Sequence, residues 1–125
     1  MNPVASKDGT TIAFDKSGQG PALILVGGAF QHRAIDPSMA RLAELLSPNF
    51  IVFHYDRRGR GDSGDTAPYA VEREIEDVDA LIQDGGGTAS LFGMSSGAVL
   101  ALEAAAHGLP VTKLAPVRAA VRRRR

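Results

Sequence analysis

The chain is 125 residues long, 44% hydrophobic and 22% charged, which fits one globular domain with a real core and leaves little room for a second. It has no cysteine, which excludes disulfides and thiolate metal sites, and its apolar runs are far too short to cross a bilayer. The formal net charge of zero joins two unlike pieces: residues 1–117 carry 9 Lys/Arg against 14 Asp/Glu, whereas residues 118–125 carry five arginines and no acid.

In chain order, Val4–Ser6 and Thr11–Asp15 flank an Asp8-Gly9 turn and predict a hairpin. Ser17–Pro21 reads as a loop, and Ala22–Val26 as a strand buried on both faces of a parallel sheet. Asp36-Pro37-Ser38 predicts a helix with Asp36 as N-cap and proline in its first turn, carrying Met39, Leu42, Leu45 and Leu46 and stopping before Pro48. Phe50–Tyr55 is the next strand, followed by a glycine-rich loop over Asp56–Gly64. Val71, Ile75, Val78, Leu81 and Ile82 form one helical stripe, which places Glu72, Glu74, Glu76, Asp77 and Asp79 largely on the solvent side. After Gly85–Gly87 come a strand over Thr88–Phe92, a helix over Ala98–Ala106 and a last short strand over Pro110–Leu114. A hairpin followed by alternating strands and helices implies an α/β fold, with a mostly parallel sheet and helices on both faces.

The most specific chemistry lies in Gly93-Met94-Ser95-Ser96-Gly97. Gly-x-Ser-x-Gly alone is also an ordinary strand-to-helix turn, since glycine and serine are common turn residues. Here the pattern stands between a strand and a helix, the setting that lifts a serine hydroxyl clear of a sheet and aims the following amide and the helix N-terminus at developing negative charge. Gly27-Gly28-Ala29-Phe30, after an earlier strand, is a second small-residue turn able to free a backbone N–H; the plain alternative is a glycine turn at a strand end. In Asp56–Gly64, Asp56, Arg58 and the glycines are expected to shape the loop rather than to react.

Asp56-x-Arg58-Gly59-x-Gly61-x-Ser63, Gly93-x-Ser95-x-Gly97 and the Gly27-Gly28 turn before both, in this order, resemble the N-terminal half of an α/β-hydrolase-fold protein over about residues 4–115. The resemblance implies a partial α/β-hydrolase fold over 1–115 with its C-terminal strands missing, whereas residues 116–125 resemble nothing in that family and are expected to form a disordered Arg-rich tail. It implies Ser95 as nucleophile, an oxyanion hole from the Ser96 and Ala29 backbone N–H groups with Phe30 as the other candidate, and a substrate pocket that includes Gly28, Phe30 and Met94. The reaction class would be acyl transfer to water on a small ester or related carbonyl substrate, with neither cofactor nor metal. The family often has His-Gly where this chain has Gly27-Gly28, a position that is usually structural.

A second departure is chemical. A serine hydroxyl needs a base oriented by a carboxylate, and the family places Asp or Glu and then His after the nucleophile. After Ser95 the chain has only Glu103 and His107, both on the helix leading away from the serine. The expectation is therefore an impaired, truncated hydrolase, or else a non-catalytic folded remnant or binding module. His32, just past the oxyanion turn, is read as a solvated loop residue, and His54 as a hydrogen-bonded core residue. The arginine tail has three readings: a change of reading frame or premature end near Leu114–Pro116, a basic patch for nucleic acid or acidic lipid, or a frayed terminus. No aromatic residue interleaves the arginines, so nucleic acid is not expected as a partner. An exposed sheet edge points to self-association. Residues 1–8 lack a basic stretch followed by an apolar one, so a cytoplasmic location without membrane association is expected.

Overall fold

A computed structural model describes residues 2–117. Six strands, β1 (Asn2–Ala5), β2 (Thr11–Gly18), β3 (Ala22–Val26), β4 (Ile51–Tyr55), β5 (Ala89–Met94) and β6 (Val111–Val117), form one sheet in the order β1-β2-β4-β3-β5-β6. Three helices, α1 (Pro37–Leu46), α2 (Val71–Asp84) and α3 (Ser96–Ala106), connect them. The β1–β2 and β2–β4 pairs are antiparallel, whereas β4, β3, β5 and β6 run parallel. This is the mostly parallel α/β sheet that the alternation of strand and helix patterns predicts.

The alternation of side chains along β3 divides the core. Ala22, Ile24 and Val26 face a large cluster under α2 and α3 that holds Phe53, Val78, Leu81 and Leu100. Leu23 and Leu25 face a smaller cluster with Met39 of α1 and Val52. On that second face an open groove of about 450 Å³ runs between α1 and β6, lined by Leu23, Leu46, Phe50, Phe92 and Leu114 among others. Asp36 caps α1 as expected, its Oδ1 accepting the Met39 N–H at 3.2 Å, with Pro37 in the first turn.

Two expectations change, apart from Ser17 and Gly18, which belong to β2 rather than to the loop expected there. The last strand continues past Leu114 to Val117, in register with β5 up to Met94↔Val117, so Pro116 and Val117 are sheet residues. A proline is tolerated there because β6 is an edge strand and one face of its ladder needs no N–H donor. The rest of the expected tail lies outside the described residues. The second change concerns α2: Glu74 and Asp77 are each 1% exposed rather than solvent-facing. They are buried because Arg57 and Arg58 come to meet them. Glu74 accepts Arg57 Nε and Nη2, both at 2.8 Å, and Asp77 accepts Arg58 Nε at 2.8 Å and Nη2 at 2.6 Å. Carboxylates in a core require such partners.

Candidate active site

The carboxyl ends of β3, β4 and β5 converge, the place where open α/β sheets hold ligands. β5 ends at Met94 and α3 begins at Ser96, so the chain must reverse direction in one residue. That residue, Ser95, adopts φ 60° and ψ −120° and is the only non-glycine with positive φ among the described residues. A strained conformation of this kind persists only where its surroundings enforce it. The enforcement is steric. A β-carbon on Gly93 would lie 2.7 Å from Ala98 Cα, and one on Gly97 would run into the Val26 and Gly27 carbonyls. The Ser95 side chain is exposed, and its N–H donates to the Val117 carbonyl at 2.7 Å, which ties the bend to the edge strand.

The Gly27–Phe30 turn lies against this bend. A methyl group on Gly28 would stand 3.8 Å from Ser95 Cβ, and the Gly28 carbonyl accepts the Gln31 N–H at 3.1 Å. A cavity of about 330 Å³ opens above the two, lined by Gly28, Ala29, Phe30, Met94 and Ser95. Ser96 is not on its wall. As the first residue of α3, however, Ser96 has an N–H without an intrahelical acceptor, at the positive end of the helix dipole. The structure thus brings the anticipated residues to one place, although the Phe30 ring is 91% exposed and stands at the rim.

The same cavity is lined by Gln31, Asp36, Ser38 and Met39, none of which sequence reasoning selected for the site. Asp36 was legible only as a helix cap; no spacing rule shows that a capping carboxylate also faces a cavity. Arg57 is another residue whose role only the structure discloses. Its Nη1 donates to the Gly27 carbonyl at 3.2 Å and to Ser96 Oγ at 3.1 Å, and Arg60 Nε donates to the Ala29 carbonyl at 2.7 Å. The signal was two acids three residues apart on α2 and two adjacent arginines after β4, four charges in need of partners.

Asp56 and Arg58 build the loop, as anticipated. Asp56 accepts the Arg33 and Asp62 amides at 2.8 and 2.9 Å, and Arg58 also reaches Asp8 at 2.9 Å. Burial opposes the charge on Asp56, but those amides and the Arg33 guanidinium outweigh it and hold the carboxyl below its ordinary pKa. Glu74 is likewise opposed by burial and held low by Arg57 and Tyr69. The guanidinium of Arg58, with the Thr10 hydroxyl and amide, keeps Asp8 ionised well below the usual carboxylate range.

None of the three histidines serves Ser95: among the described residues nothing hydrogen-bonds its hydroxyl. His32 is absent from the cavity wall. His107 follows α3 at the far end of its 11 residues, roughly 16 Å along the axis, and its Nδ1 lies 2.8 Å from the Glu103 carbonyl. His54 lies on β4, separated from β5 by β3. It is 7% exposed, as a core residue should be, but among the described residues its ring has no hydrogen-bond partner, contrary to expectation. Burial therefore lowers its pKa below 6.5, against the pull of Asp36 and Asp15.

The sign of that shift gives a prediction. On acidification through 6.5 the unfolded chain takes up a proton that folded His54 resists, so stability falls. Asp56 and Glu74, whose folded pKa values are depressed, add a further loss below their ordinary values of 3.8 and 4.5. Urea midpoints measured from pH 7.5 to pH 3 are expected to fall in these two stages. His54→Leu is expected to flatten the upper stage and leave the lower one in place.

A strand-to-helix bend that presents a serine, beside a glycine turn at the end of the neighbouring strand, defines the class of site found at the heart of the α/β-hydrolase fold. The family model for the alpha/beta hydrolase family matches residues 23–124, and the chain belongs to that family. The match begins later than the 4–115 span on which the sequence motifs rest and runs beyond its C-terminal end. Among solved structures, an alpha/beta hydrolase from Sphaerobacter thermophilus shares 63% identity with a TM-score of 0.87, covering 93% of this chain and 44% of its own. The bottromycin epimerase BotH, in complex with bottromycin A2, shares 35% identity at a TM-score of 0.78, over 90% of this chain and 46% of its own. An esterase from Exiguobacterium antarcticum shares 25% at 0.77, over 90% and 43%. The chain thus spans less than half the length of these relatives. No curated protein sequence matches it. Among the described residues no helix is long and apolar enough to cross a membrane.

Proposed function

We propose that this chain carries the nucleophile and oxyanion-binding part of a serine hydrolase acting on small esters or related acyl compounds. On this reading Ser95 Oγ attacks the carbonyl carbon and gives up its proton to a base. The carbonyl oxygen becomes an oxyanion held by the Ser96 and Ala29 N–H groups, with Phe30 N–H as the other candidate. The leaving group departs with a proton, and water then cleaves the acyl-serine. Gly28, Phe30 and Met94 form part of the pocket, and no cofactor takes part. The observation that carries the reading is the forced positive φ of an exposed serine at a cavity it shares with the Gly28–Ala29 turn. Removal of one oxyanion donor typically costs about 3–4 kcal/mol of barrier.

Among the described residues nothing hydrogen-bonds the Ser95 hydroxyl and no histidine lines its cavity, so this 125-residue chain is read as an impaired hydrolase. A second reading, a non-catalytic remnant that binds a small molecule, draws support from that missing partner. Self-association through the β6 edge and the apolar groove belongs to either reading. A fluorophosphonate probe separates the two readings. The proposal expects slow covalent labelling of the folded wild type and none of Ser95→Ala. A folded wild type that stays unlabelled would favour the remnant, and a labelled Ser95→Ala would move the nucleophile elsewhere.

A further inference from the structure

Three successive carbonyls in the oxyanion turn are occupied. Arg57 Nη1 takes Gly27 at 3.2 Å, the Gln31 N–H takes Gly28 at 3.1 Å, and Arg60 Nε takes Ala29 at 2.7 Å. In a trans peptide the N–H points opposite to the carbonyl of the same unit. Fixing these three oxygens therefore fixes the directions of the Gly28, Ala29 and Phe30 amides, which have no protein acceptor among the described residues. We infer that Arg57 and Arg60 are positioning residues for the oxyanion hole: from behind the turn they set the Gly28 and Phe30 amides, which flank the Ala29 amide that Gln31 sets, and together these bonds hold the three toward the space beside Ser95. The inference rests on the serine-hydrolase reading for its catalytic meaning, though not for its geometry.

The grip is built in depth. Arg57 reaches both halves of the hole at once, since the same Nη1 also donates to Ser96 Oγ at 3.1 Å on the first turn of α3. Its other two nitrogens are locked by Glu74, and Glu74 is locked in turn by the Tyr69 hydroxyl at 2.6 Å. Arg60 is braced by the Arg58 carbonyl at 3.0 Å and lies 3.7 Å from Glu74. A planar guanidinium can serve a carboxylate and a carbonyl together in fixed directions, whereas a lysine ammonium offers one mobile point of attachment. One carboxylate on α2 thus orients arginines that bind two different carbonyls of the turn.

The test uses Arg60→Met, because this side chain is partly exposed and its loss leaves Glu74 paired with Arg57. Backbone ¹⁵N relaxation is expected to show order parameters for residues 28–30 falling from about 0.85 to below about 0.6, with those of β5 unchanged. Arg60→Lys is expected to recover part of that order. Arg57→Lys, which keeps the charge opposite Glu74, is expected to loosen Gly27 and Gly28 and stands in if Arg60→Met does not fold. Where the wild type labels with fluorophosphonate, Arg60→Met is expected to slow labelling at least tenfold and Arg60→Lys less. Unchanged order at residues 28–30 in the folded variants overturns the inference, whatever the labelling shows. An unlabelled wild type with loosened variants overturns only the hydrolase reading.

Discussion

Replacing Asp77 with alanine is expected to lower the free energy of unfolding by about 3–5 kcal/mol, a large share of the 5–15 kcal/mol typical of a domain. The reason lies in what is left behind. Arg58 is among the largest fully buried side chains, and Asp77 supplies two of its four short contacts. The other two come from Asp8, which is partly exposed. Without Asp77 a guanidinium would sit in the core with half its partners gone, because arginine cannot escape by losing its proton. The Arg41–Glu44 pair on α1 provides the control. Both side chains are about 70% exposed, and Arg41→Ala is expected to change stability by less than about 0.5 kcal/mol. Urea denaturation of the two variants decides the matter; a loss below 1 kcal/mol for Asp77→Ala would refute the account.

Gly97→Ala is expected to have the largest effect on the site. The added methyl group would drive into the Val26 and Gly27 carbonyls, both backbone atoms with no rotamer to yield. The first turn of α3 would have to rise off β3, taking Ser95 and the Ser96 amide away from the Gly28–Ala29 turn. Overpacking of this kind costs about 1–3 kcal/mol. Loss of fluorophosphonate labelling should exceed what the stability change alone explains. Gly64→Ala is the matched control, since its methyl group meets neighbours only at ordinary distances of 3.6–3.7 Å. Wild-type labelling in Gly97→Ala would show that the bend does not depend on this close approach.

The fold was largely legible because its signals are local. The continuous apolar run Ala22–Val26 is the strand as observed, and Asp36-Pro37 marks the start of α1. The glycines around Ser95 could be read because two close backbone approaches leave no room for any side chain. What could not be read depends on partners distant in sequence. Glu74 and Asp77 have the spacing of wet-face residues, and only the return of the 56–64 loop over α2 makes them core residues. The extent of β6 was hidden for a similar reason: Pro116 argues against a strand until its edge position is known. Asp36 carries two roles in one side chain, and the helix cap accounts for all that its sequence context reveals.

The hydrogen bond from Ser95 N–H to Val117 has a mechanical meaning. The outermost strand of the sheet clasps the very peptide that carries the Ser95 hydroxyl, so the rim and the bend form one continuous truss. A load placed on that rim, whether by an adjoining strand or by another molecule, is passed to position 95 through this hydrogen bond and the Met94–Val117 pairing beside it.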